Sequence, residues 1–264
     1  VVTLSLERDG ASEDLRIRRD RIVTQDVRSS SLADGRVGYL RLDSFGAHSA
    51  DDFEDALTAQ LDAGVEALVV DLRGDPGGFV DAAVSIASEF IGEGPVFWEE
   101  DADGAQVSVD AERGGLATDP DLPLVLLVDG GSASASELVA GALQDAGRAT
   151  LVGEPTFGKG SVQEWTQLPG ENGGFRLSVA RWLTRDKRHI DGSGLTPDVF
   201  VRADGRVYRP IEGADPEADA QLAYALALAL GEPLPSPVPA TTEVPIEVRF
   251  GPDPSPAAES SPQP

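Results

Sequence analysis

Apolar and polar positions alternate with period two at the start of the chain. Val2, Leu4 and Leu6 are separated by polar neighbours, and Leu15 and Ile17 repeat the pattern after an Asp9-Gly10 turn. Two short strands are expected, too few to enclose a core of their own. From residue 36 the pattern changes. Residues 37–42 read as a strand and 48–52 as a helix cap, and Phe53, Leu57 and Leu61 fall four apart on one helix face. Residues 67–72 and 124–128 are continuous apolar runs, the signature of parallel strands covered on both faces. A helix with Val80, Val84, Ala87 and Ile91 inward follows the first run, and one with Leu138, Val139, Ala142 and Leu143 follows the second. A hairpin at 102–104, a strand at 149–152 and a pair of strands at about 162–168 and 174–183 complete the series. Strands alternating with crossover helices predict an α/β core.

Residues 217–230 read as a helix rich in Ala and Leu. Beyond Gly231 the composition shifts, with ten of the nineteen prolines in the last 34 residues, which predicts an extended, largely disordered tail. The chain has 264 residues, 41% hydrophobic and 25% charged, an ordinary globular balance. No run approaches the roughly 18 apolar residues of a membrane span. A formal charge of −25 disfavours nucleic acid and anionic lipid as partners. With no Cys there is no disulfide, no thiolate nucleophile and no Cys-based zinc site. With no Met, initiator included, a processed or excised segment is expected, any secretion signal or anchor lying upstream.

The segment Gly131-Ser-Ala-Ser-Ala-Ser-Glu137 lies between a buried strand and a helix start, where backbone N–H groups point out unpaired. A serine held there sits beside donors suited to an oxyanion; read alone, it is more readily an N-cap. A nucleophilic serine also needs a base. The candidates are His48, His189, Lys159 and Lys187, since the 19 arginines never release a proton near neutrality. Lys159 is flanked by glycines, which allow close approach. His189, near Asp186 and Asp191, offers a Ser–His–Asp arrangement but sits in a charged turn, and His48 reads as local hydrogen bonding. Asp101-Ala-Asp-Gly104 lacks the later ligands of a calcium loop and fits a hairpin turn.

Four blocks, in order, resemble the C-terminal processing peptidases, the tail-specific serine peptidases of family S41. They are Asp71-Leu-Arg-Gly-Asp-Pro-Gly-Gly78, the serine segment 131–137, Gly153-Glu-Pro-Thr-Phe-Gly-Lys-Gly-Ser-Val-Gln163 and Gly192-Ser-Gly-Leu-Thr-Pro-Asp198. Together they cover roughly residues 36 to 201. The resemblance implies a crotonase/ClpP-like α/β core of ββα type. It implies Ser134 as nucleophile, Lys159 as base and Gln163 orienting the amine. The implied oxyanion donors are the backbone N–H of Ala135 and of a glycine in the pair Gly77 and Gly78, with Gly78 favoured. Ser132 and Ser136 are supporting residues. Asp75 and Asp129 depart from the family, which usually has asparagine at both places, and each carboxylate is expected to favour a protonated Lys159.

The implied organisation is a C-terminal remnant of a PDZ domain at 1–25, a peptidase core at 26–210, a C-terminal helix at 211–230 and a Pro-rich acidic tail at 231–264. The implied activity is cleavage of unstructured polypeptides with apolar C-termini through an acyl-enzyme, requiring no metal or organic cofactor, in an extracytoplasmic setting. The rival expectation is a non-catalytic peptide-binding scaffold on the same core.

Overall fold

The alternation of the first residues folds into β1 (Val2–Arg8) and β2 (Ala11–Ile17), an antiparallel pair in which Val2 faces Ile17 and Leu4 faces Leu15. The apolar stripe this creates, Leu4, Leu6, Leu15 and Ile17, remains exposed. The computed structural model describes residues 1–8, 10–20, 25–170, 173–202 and 219–235. All of these but Pro235 belong to one compact unit, Val1–Leu234. The second unit, Pro235–Pro264, lies otherwise outside the described residues, as do 203–218. The expected disorder of the tail and the first part of the expected helical segment 211–230 therefore fall outside them.

The chain continues through β3 (Val27–Leu32), β4 (Val37–Leu42), α1 (Ser49–Asp62), β5 (Ala67–Asp71) and α2 (Val80–Ser88). Next come β6 (Pro95–Glu100), β7 (Gln106–Asp110), β8 (Leu124–Val128), α3 (Ala135–Asp145) and β9 (Thr150–Gly153). It closes with β10 (Ser161–Gln167), β11 (Gly174–Thr184), β12 (Val199–Phe200) and α4 (Ala220–Ala229). The main sheet has the order β12-β9-β8-β5-β4-β3 and is parallel apart from β3. The uninterrupted apolar runs have the cause expected of them: both faces are covered. Leu68, Val70, Leu126 and Val128 pack in one core with Phe53, Leu57, Ile86 and Leu138 from α1, α2 and α3. Val69, Val125 and Leu127, pointing the other way, pack with Leu222 and Ala225 of α4. An antiparallel sheet of order β10-β11-β6-β7 stands beside this core, with the Lys187 amine 3.9 Å from the centroid of the Trp98 ring.

The α/β architecture with crossover helices is therefore the observed one, with local corrections. Helix α2 ends at Ser88, so the buried Ile91 lies beyond it, while Val80 in its first turn is exposed. His48 stands at the N-cap of α1 but makes no side-chain capping bond; the Ser49 hydroxyl donates instead to the Gly46 carbonyl at 3.0 Å. Helix α4 begins at Ala220, three residues later than the composition indicated, because the Asp219 carboxylate caps it by accepting the Leu222 N–H at 3.1 Å. Strand β3 has three successive serines and no hydrophobic alternation, and was not expected; its Ser31 hydroxyl donates to Gln60 of α1.

Candidate active site

Strand β8 runs into the turn 129–134 and then into α3, and Ser134 occupies the N-cap with φ 57° and ψ −113°. A positive φ on a non-glycine residue is strained, and such strain persists only where surrounding contacts over-determine it. Those contacts are explicit. Ser132 and Ser136 are fully buried and commit their hydroxyls to carbonyl oxygens, Ser132 to Leu72 at 2.8 Å and Ser136 to Asp75 at 2.9 Å. The Asp75 carbonyl also accepts the Ala133 N–H at 3.0 Å. The turn after β5 is thus stitched to the serine turn from both sides of Ser134. Ser134 itself is half-buried.

The strongest link is Glu137, one turn into α3 and fully buried. Its Oε2 accepts the N–H of Ser134 at 2.8 Å and the N–H of Lys159 at 2.9 Å. Its Oε1 accepts the Gly158 N–H at 2.7 Å and the Thr156 hydroxyl at 2.6 Å. Four donors satisfy a carboxylate that burial would otherwise make very costly. The backbone nitrogens of Ser134 and Lys159 consequently lie no farther apart than the sum of their two bonds to that oxygen. Trp182 Nε1–H donates to the Lys159 carbonyl at 2.9 Å, so both peptide groups of the lysine are fixed. Its half-buried side chain makes neither a hydrogen bond to the Ser134 hydroxyl nor an ion pair with any carboxylate among the described residues.

Glu137 was not singled out from the sequence. The spacing Ser134-Ala-Ser-Glu137 is that of a capping box, and its reach back to the N-cap N–H was the legible half of its role.

The expected oxyanion donors separate. Gly77 presses against the serine turn at φ 91°, where an added Cβ would lie 2.9 Å from Ser134 Cβ and 2.8 Å from Ala135 N. Its own N–H is already taken, donating to Asp75 Oδ1 at 2.8 Å. No acceptor among the described residues takes the N–H of Gly78 or of Ala135. Of the three expected donors, Gly77 thus has its N–H engaged, while those of Gly78 and Ala135 have no acceptor among the described residues.

Three further expectations meet the geometry. Gln163 is exposed on β10, at a register irregularity between Val162 and Gln163, and no hydrogen bond joins it to Lys159. Asp129 does not pair with Lys159; its Oδ1 accepts the N–H groups of Gly74 at 2.9 Å and Gly131 at 2.8 Å and so shapes the two turns. Asp75 makes no ion pair with Lys159 either and is fully buried beneath the Gly77 turn. Of the histidine alternative, His189 and His48 are both exposed, neither makes a hydrogen bond to Ser134 among the described residues, and Asp191 accepts the Gly160 N–H at 3.0 Å.

Beneath the turn lies a buried ionic cluster. Asp71 accepts from Tyr39 Oη at 2.7 Å and from Arg73 Nε and Nη2 at 3.0 and 2.6 Å, with Arg41 Nη1 at 3.1 Å. Burial alone would push the Asp71 carboxyl up; the Arg73 and Arg41 guanidiniums and the Tyr39 hydroxyl hold it below the usual carboxylate range. Arg73 reaches on to Asp219 at 2.7 Å and Gln221 at 2.9 Å, tying α4 to the end of β5.

Comparison with known proteins adds a family to this geometry. Residues 36–201 match the sequence profile of Peptidase family S41. The chain is 40% identical over 207 residues to the carboxy-terminal-processing protease of Bartonella bacilliformis, covering 76% of this chain and 46% of that protein. It is 35% identical over 216 residues to the carboxy-terminal processing protease CtpA of Bacillus subtilis, covering 81% and 45%. Among solved structures it resembles the photosystem II D1 C-terminal processing protease, with a TM-score of 0.62 and 32% identity, covering 72% of this chain and 52% of the other. The chain thus spans about half the length of the curated relatives it matches. Its core has the ClpP-like α/β fold of these neighbours.

Proposed function

Since this chain belongs to peptidase family S41, we propose that it is a serine endopeptidase that uses Ser134 as nucleophile and Lys159 as base. The observation that supports this reading above all is the shared Glu137 oxygen, which holds the strained serine turn and the lysine loop together. Substrate entry supplies the scissile carbonyl next to Ser134. The Ser134 Oγ attacks the carbonyl carbon while the Lys159 amine takes the hydroxyl proton. The N–H groups of Ala135 and Gly78 receive the oxyanion. The C–N bond then breaks as the lysine returns its proton to the leaving amine, and water attacks the ester to release the acid and restore the serine.

The substrates in this reading are unstructured polypeptides with apolar C-termini. Phe79, directly after Gly78, and Phe157, in the lysine loop, are exposed and offer apolar surface on the two turns that carry Gly78 and Lys159. The working compartment is extracytoplasmic, and β1 with β2 are the last strands of a PDZ domain. Among the described residues no helix is long and apolar enough to cross a membrane. The test is cleavage of an unstructured peptide ending in small apolar residues. Ser134→Ala and Lys159→Ala are each expected to lower kcat by about ten-thousandfold, with circular dichroism unchanged. A serine-directed fluorophosphonate is expected to label Ser134. Substantial cleavage by either variant removes that residue from its role.

A further inference from the structure

Asp75 is the one fully buried carboxyl of the site whose second oxygen is unmatched. Its Oδ1 accepts the Gly77 N–H at 2.8 Å, while Oδ2 has no hydrogen-bond partner among the described residues. Its backbone carbonyl meanwhile holds Ala133 N–H and the Ser136 hydroxyl, so the residue lies between the turn that carries Gly78 and the turn that carries Ser134. A carboxylate with one oxygen buried and unpartnered is unfavourable, whereas the neutral acid keeps the bond to Gly77 through its carbonyl oxygen. The charged groups that face it are Asp43, which opposes ionisation, and Arg41, which favours it; Arg41 is already engaged with Asp43 at 2.8 Å and Asp71 at 3.1 Å. Burial dominates and pushes the Asp75 carboxyl up to about 7, against the lowering pull of the Gly77 N–H and the Ser136 hydroxyl.

We propose that Asp75 is a positioning residue of the oxyanion turn that serves as its neutral acid. Uncharged, it fixes Gly77 so that the Gly78 and Ala135 N–H groups meet the substrate oxygen; ionised, it sets a negative charge behind those donors and weakens them. This rests on the peptidase reading above. The ionisation moves one proton from the carboxyl to solvent and breaks no other bond. Activity therefore falls as Asp75 ionises with rising pH.

The experiment compares peptide cleavage by the parent protein and by Asp75→Asn from pH 5.5 to 9. The carboxamide keeps the acceptor for Gly77 and cannot ionise. The ratio of variant to parent kcat is expected to rise on the order of tenfold between pH 6 and 8.5, the scale of two unit charges roughly 12 Å apart at an effective dielectric of ~20. Infrared spectra of the parent at pH 6 are expected to show the carbonyl stretch of a protonated carboxyl that Asp75→Asn lacks. Parallel pH profiles, or no such band, overturn the role of Asp75 while leaving the peptidase reading intact. If the parent shows no Ser134-dependent cleavage at any pH, the peptidase reading fails and this inference with it.

Discussion

The backbone N–H groups of Ser134 and Lys159, 25 positions apart in the chain, converge on one carboxylate oxygen of Glu137. The relationship places the geometry of the site in backbone rather than in side-chain tips. It also makes the serine turn and the lysine loop a single mechanical unit, since Phe157 N–H adds a bond to the Ser132 carbonyl at 3.0 Å.

Glu137→Gln is accordingly expected to damage catalysis more than fold. The amide retains one acceptor oxygen for donors that now occupy two, and its NH2 faces N–H groups. A displacement of the lysine loop by a fraction of an ångström to an ångström should lower kcat on the order of a hundredfold, with KM little changed. Steady-state kinetics beside a thermal melt check this. An unchanged kcat would show that the clamp has no catalytic consequence.

Gly77 is irreplaceable for two independent reasons, its φ of 91° and the proximity of Ser134 and Ala135. Gly104 has a similar φ of 81° but open space around it. Gly104→Ala should cost about 1–2 kcal/mol, the conformational term alone. Gly77→Ala should cost more and abolish detectable cleavage. Denaturant unfolding of the two variants side by side separates the steric contribution from the conformational one.

Asp75 also links pH to stability. Burial pushes its carboxyl up to about 7 when folded, against about 3.8 for an ordinary aspartate, so between those values the native state holds a proton that the unfolded chain releases. Stability contributed by this group is full below about pH 4 and is lost as pH rises towards 7, on the order of 4 kcal/mol in all. Asp75→Asn removes the dependence. The Tm of the variant should draw ahead of the parent progressively from pH 4 to 7, and a constant difference across that range contradicts the shift.

Arg73→Ala should be among the most damaging changes away from the reacting atoms. It leaves Asp71 buried with its main counter-charge removed and releases Asp219 and Gln221 of the α4 end. A loss of about 3–5 kcal/mol is expected, together with faster hydrogen exchange in α4. Exchange in α4 at the parent rate would argue that Asp219 and Gln221 do not depend on Arg73.

Much of this architecture was legible before any coordinates. Residues 67–72 and 124–128 read as parallel strands because strands covered on both faces are overwhelmingly apolar, and helices cover both faces of the sheet; the single charge in these runs, Asp71, is matched by Arg73 and Arg41. Strand β3 escaped because Ser29, Ser30 and Ser31 carry no burial pattern; its pairing with β4 is supplied by tertiary contact. Glycine and serine blocks drew attention to the segment 131–137 and to Lys159, and the family resemblance those blocks carry singled out Ser134 and the Gly77-Gly78 pair. What escaped was the disposition of individual hydrogens. Whether Gly77 offers its N–H outward depends on where the Asp75 side chain turns, and a buried glutamate with four donors looks in sequence like any helix-opening acid.

The chain has only two lysines, and the amine of one, Lys187, lies 3.9 Å from the centre of the Trp98 indole. Reductive methylation with ¹³C-formaldehyde would therefore yield two side-chain resonances, one displaced upfield by the ring current of the indole. The terminal α-amine adds a third signal, and of the two undisplaced ones the signal that Lys159→Ala removes reports Lys159, so the scarcity of amines turns a packing detail into a built-in spectroscopic reference.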